Sequence, residues 1–122
     1  MNICWVTLHV RDMEKSLRFY HEYLGLEIFS RFGAETGVEI AMLGAADQPK
    51  VELLGGPQTG PAPAVPGGIT IGFAVPSLDD ATRSLAQKGV AVLRGPFSPN
   101  PHLRFSFVQD PDGYEVQLAE TR

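Results

Sequence analysis

Residues 5–13, WVTLHVRDM, match residues 70–78, TIGFAVPSL, in pattern, and the two segments lie 65 positions apart. An internal repeat constrains a short chain more than composition does, because each copy must be one supersecondary unit and must repeat its faces. In the first copy Val6, Leu8 and Val10 share one strand face while Trp5, Thr7 and His9 share the other. In the second, Ile71, Phe73 and Val75 oppose Thr70, Gly72 and Ala74. A helix start follows each strand. Asp12 is placed to N-cap a helix burying Met13, Leu17, Tyr20 and Leu24 and stopping at Gly25. Ser77, with Asp80 three residues on, resembles a capping box for a helix carrying Leu78, Ala81 and Leu85 and closed by Gly89. Strand-like runs come next, at 26–29, 38–43 and 50–54 in the first half and at 90–93, 103–109 and 114–119 in the second. The last strands align too, since Val51-Glu52-Leu53 lies over Val116-Gln117-Leu118.

The expected fold is therefore α+β, with two βαβββ modules in tandem, 1–54 and 69–122, in a single domain of 122 residues. Between them runs GGPQTGPAPAVPGG, residues 55–68, too proline-rich for a helix or central strand and expected to lie extended over the surface. It reads either as a hinge or as a connection carrying the second module across to a partner subunit.

A net charge of −4 without any run of Lys or Arg speaks against nucleic acid or an anionic membrane as partner. One cysteine, Cys4, cannot build a disulfide framework or a Cys-rich zinc site, and is expected as a small buried hydrophobe. No segment is apolar enough to span a bilayer and no secretory leader is recognisable, so a reducing, cytoplasmic setting is expected.

The doubled βαβββ pattern, the opening HVRDMEKSLRFYHEYLGLEI and the ending DPDGYEVQL resemble the vicinal oxygen chelate superfamily, which includes glyoxalase I, extradiol dioxygenases, fosfomycin-resistance enzymes and bleomycin-resistance proteins. The resemblance implies a curved mixed sheet around an open cup with helices outside, commonly completed by dimerisation, so a homodimer is expected. It also implies that metal-dependent members take ligands from the first and last strands of each module, which here are Trp5, Glu52, Thr70 and Gln117. Among these Glu52 is a strong ligand type; Gln offers a carbonyl oxygen, Thr a neutral hydroxyl, and an indole no available lone pair. No metal cofactor is expected, and a divalent ion, if bound, would rest on Glu52 and Gln117.

Trp5, Thr7, His9, Glu52, Thr70 and Gln117 are the expected ligand-binding residues, with His102 from FSPNPHL, residues 97–103, read as a proline-braced lid, and Arg104 near the mouth of the cup. His9, four residues beyond Trp5, lies about 13 Å along the strand and cannot simply replace it. His21 is expected to face solvent. Arg104 is expected either to meet an anionic ligand group or to pair with Glu115 or Asp110. Asp110-Pro111-Asp112-Gly113 needs no chemistry, being a turn whose Asp110 bonds the backbone. The competing reading makes Trp5 the plug of a closed core and Glu52 an ordinary strand residue.

Two functions of different class follow. One is a binding protein, not an enzyme, that sequesters a small, partly aromatic organic molecule and acts as bleomycin-resistance proteins do. The other is a glyoxalase-like lyase, isomerase or dioxygenase with an altered metal site on Glu52 and Gln117, aided by His102 or a residue of a partner chain; there Glu52 is the candidate catalytic residue. A third is metal-free acid/base chemistry by Glu52 with His9.

Overall fold

A computed structural model of the chain describes residues 1–33, 37–57, 59, 62–64 and 66–122. The chain divides into two compact units, Met1–Ala64 and Val65–Arg122. Four positions of the linker expected to run extended, 58, 60, 61 and 65, lie outside the described residues.

In the first unit β1 (Trp5–His9) leads through α1 (Met13–Leu17) and a π-helical segment (Arg18–Tyr23) to β2 (Ile28–Phe32), β3 (Glu39–Leu43) and β4 (Lys50–Gly55). The sheet order is β1-β4-β3-β2, with β1 parallel to β4 and the other pairs antiparallel. The second unit repeats the plan: β5 (Thr70–Ala74), α2 (Leu78–Gln87), β6 (Arg94–Asn100), β7 (Leu103–Gln109) and β8 (Glu115–Thr121), in the order β5-β8-β7-β6. These are tandem βαβββ modules with few and short helices.

Both helix starts form for the expected reason. The Asp12 carboxylate accepts from Lys15 N and the Ser77 hydroxyl from Asp80 N, satisfying amides that lack a partner in the first turn. The first helix then departs from α periodicity. Its wider turns, with Leu24 N bonded to Phe19 O, bury the adjacent pair Phe19 and Tyr20, whose rings meet edge to face at 4.9 Å. Leu24, expected in the core, is only half-buried as the C-cap.

One face of each sheet lies against its helix and forms the core: Leu8, Ala41, Leu43, Val51 and Leu53 in the first unit, Val108, Val116 and Leu118 in the second. Among the described residues the opposite face of each sheet carries no helix of its own unit. Cys4 departs from expectation, being exposed. Val6, next along the same strand face, is exposed too, so the short helix covers β1 only from Leu8 onward.

The strand expected at 90–93 forms later, as β6 over Arg94–Asn100, and the lid expected there is instead this edge strand with its turn into β7. Pro96 and Pro99 are tolerated because the strand is at the sheet edge and its pairing to β7 is broken by register shifts. Gly95, second in β6, has φ +109°, and a Cβ there would stand 2.9 Å from Ser106 Oγ and 3.1 Å from Phe105 O. The Asp110 turn forms as expected. Its carboxylate accepts from Asp112 N and Tyr114 N, both at 2.9 Å, and this fastens β7 to β8.

Candidate functional site

Strand register decides which expected residues share a surface, because directly paired residues point to the same face. In the first unit Trp5 pairs with Lys50 and Thr7 with Glu52, while Met42 and Glu52 face each other across β3 and β4. Trp5, Thr7, His9, Lys50, Glu52, Leu54, Ile40 and Met42 thus occupy the helix-free face. Trp5 is 53% exposed there and does not plug a closed core.

Glu52 is half-buried, and its Oε1 accepts from the Thr7 hydroxyl at 2.6 Å. No Lys, Arg or His pairs with it among the described residues. The nearest cation in the ladder, Lys50, turns away. Its ammonium donates to the carbonyls of Ala45 and Gln48 and lies 4.9 Å from the centre of the Phe29 ring. His9 is half-buried at the other end of β1, paired with Leu54 in the ladder.

In the second unit Thr70 pairs with Glu115 and Gly72 with Gln117. Gly72 and Gln117 stand where Thr7 and Glu52 stand in the first module, so an amide replaces the carboxylate and nothing replaces the hydroxyl. Three phenyl groups that sequence reasoning overlooked share this face. Phe107 is the direct partner of Gln117, Phe105 that of Ala119, and Phe97 that of Phe105. Their ring centres are 5.6 to 6.4 Å apart. Arg94 joins them, its guanidinium 4.1 Å from the Phe107 ring centre and its Nη2 paired with Glu115. The signal was the alternation Leu103, Phe105, Phe107, which marks one face of β7.

Arg104 and His102 are placed elsewhere. Arg104 lies between Leu103 and Phe105 and therefore on the helix side of the sheet, opposite Gln117, where it pairs with Asp79 at 3.2 Å. Neither Glu115 nor Asp110 is its described ion-pair partner, since Arg94 holds Glu115. His102 sits exposed in the turn before β7, with its backbone N bonded to Asn100 Oδ1 at 2.8 Å. Four residues separate Leu103 from Phe107, the partner of Gln117, which is about 13 Å of strand. His21 is exposed as expected, with Nδ1 2.7 Å from Leu26 O.

On the helix side of the second sheet, Glu120 accepts from Leu78 N at 2.8 Å and from Arg122 Nε at 2.8 Å. The hydrogen bond from Arg122, then that from Leu78, holds its carboxyl below the usual glutamate value. A shallow cleft of about 600 Å³ opens between Met1–Cys4 and Ala46–Pro49, apart from Glu52.

The donor chemistry tests whether a metal fits. Among the described residues no three His, Cys, Asp or Glu side chains come together as a set of ligands. At the four family positions the chain offers an indole, one carboxylate already engaged by Thr7, a hydroxyl and an amide. That set does not fit a tightly held transition metal, which wants several imidazole or carboxylate donors.

The family model of the Glyoxalase/Bleomycin resistance protein/Dioxygenase superfamily matches residues 2–118. A probable lactoylglutathione lyase of Synechocystis sp. is 28% identical over 120 residues, 93% of this chain and 91% of the relative. A superfamily member from Sphaerobacter thermophilus has a solved structure that is 27% identical, with a TM-score of 0.78 over 98% of this chain and 97% of the other. An antibiotic binding protein from Streptomyces sp. shares the fold at 22% identity and a TM-score of 0.76, over 100% of this chain and 97% of the other. No helix among the described residues is long and apolar enough to cross a membrane.

Proposed function

Since this chain belongs to the Glyoxalase/Bleomycin resistance protein/Dioxygenase superfamily, we propose that it keeps the superfamily's binding role and holds a small, partly aromatic organic molecule without a divalent metal. The observation that carries this reading is the helix-free face of the first sheet, where an exposed indole stands beside a carboxylate committed to Thr7. Trp5 offers a flat apolar surface for stacking, worth about 0.5–1.5 kcal/mol beyond burial. The amide of Gln117 and the phenyl cluster on the second sheet extend the same chemistry to the second module. Likeness in fold to an antibiotic binding protein agrees with sequestration as the role.

The test uses the one tryptophan of the chain. Purified protein is expected to carry substoichiometric transition metal, and a screen of aromatic natural products is expected to yield ligands that move the Trp5 signal and lose binding in Trp5→Ala. Stoichiometric metal released by Glu52→Ala would sink the reading.

A second reading is favoured by the relative named as a probable lactoylglutathione lyase. It makes the chain a metal-dependent lyase, isomerase or dioxygenase with Glu52 as its acid/base group. Turnover of a hemithioacetal on adding nickel or zinc, absent in Glu52→Gln, would establish it in place of the first.

A homodimer belongs to the proposal as well. Ile28, Phe29 and Phe32 are exposed on the edge strand β2 and suit an apolar contact between copies. Sedimentation at several concentrations checks it.

A further inference from the structure

We propose that the molecule bound at Trp5 carries a positive charge, a protonated amine or a guanidinium, which the carboxylate of Glu52 receives. The assignment rests on the binding reading above and adds the ligand's charge to it.

Glu52 projects from a face that carries His9 and Lys50 besides Thr7 and the apolar Trp5, Met42 and Leu54. Of the two carboxylate oxygens, Oε1 takes the Thr7 hydroxyl, so the group is held in one orientation with Oε2 left to accept. No cation of the described chain balances it. Lys50 is on the same face two residues before Glu52, yet its ammonium is bound to the carbonyls of Ala45 and Gln48. A half-buried carboxylate that a neighbouring lysine leaves unmatched is suited to a cation from outside the chain.

Trp5 stands two residues before Thr7, about 7 Å along β1, so one aryl ligand reaches both groups. The face of an indole also attracts a cation. In the second module the residue at the corresponding position is uncharged, and the charged groups beside it on that face, Arg94 and Glu115, pair with each other. Gln117 faces Gly72, and a Cβ built there would have only Gln117 Oε1 near it, at 3.7 Å. That amide can orient a neutral polar group but cannot select for charge. Charge selection therefore belongs to the first module, with Glu52 as its determinant and Thr7 as a positioning residue.

Three probes of one shape test this: naphthylmethylammonium, naphthylmethanol and naphthoate, each titrated while following the single indole N–H resonance of Trp5. The cation is expected to bind about tenfold more tightly than the alcohol, with the anion weakest. Glu52→Gln is expected to erase that preference, and raised salt to narrow it. Equal affinity for cation and alcohol, or a preference that survives in Glu52→Gln, overturns the charge assignment and leaves the binding reading standing. Silence of the Trp5 resonance toward all three overturns both. Should Glu52→Gln fold poorly, Thr7→Val serves in its place: a cation preference reduced severalfold supports the assignment, and an unchanged one overturns it.

Discussion

Trp5 and Glu120 show how differently two side chains of the same kind of strand can be used. Trp5 is more than half exposed, so its removal takes little from the core. Trp5→Ala is expected to change stability by less than about 0.5 kcal/mol while abolishing aryl binding, a split that thermal melts and ligand titration will resolve. Glu120 has the opposite role. It caps the first amide of α2 and receives Arg122, and its folded-state pKa lies below the ordinary 4.5. A lowered carboxyl pKa contributes stability that is complete above 4.5 and is lost as pH falls through the folded value. Glu120→Gln is therefore expected to be less stable than the parent near neutrality, with the difference shrinking on acidification below about pH 4.5, as acid titration of the unfolding midpoint will show. A gap that widened in acid would contradict the role.

The first helix and the strand β6 are the elements where local pattern and structure part. The spacing of Met13, Leu17, Tyr20 and Leu24 reads as a plain amphipathic helix, and Phe19 is off that stripe. The π-helical turn rotates Phe19 into the core beside Tyr20. Phe19→Ala is accordingly expected to cost about 3–5 kcal/mol, whereas exposed Glu22→Ala should stay within about 0.5 kcal/mol. A regular α-helix would make both changes cheap, so denaturant melts of the two variants separate the possibilities. In and just after β6, prolines at 96, 99 and 101 argue for a loop when the chain is read alone. Pairing with β7 makes it an edge strand, and the same pairing brings Phe97 onto Phe105.

At the scale of the whole molecule, ligand binding should appear as added stability by mass action. Ligand at about 100 times its Kd adds about 2.7 kcal/mol, which for a chain of this size raises Tm by about 5 °C or more. Chelator alone is expected to leave Tm unchanged, and a large fall on chelation would favour the metal-dependent reading. The amino-acid order by itself determined the doubled βαβββ plan, both helix caps, the Asp110 turn and the faces of β1, β4 and β8, because alternation, capping and turn chemistry act over a few neighbouring residues. It also exposed the weak donor set at Trp5, Glu52, Thr70 and Gln117, since residue type alone decides which atoms can hold a metal. Tertiary structure decided what depends on partners distant in the chain: that Thr7 holds Glu52, that Lys50 leaves it unmatched, that Arg104 faces Asp79 on the far side of the sheet, and that three phenyl rings cluster on the face that carries Gln117. Those are matters of register and of which of several equally plausible neighbours comes within reach, and a sheet register is set only when distant strands meet.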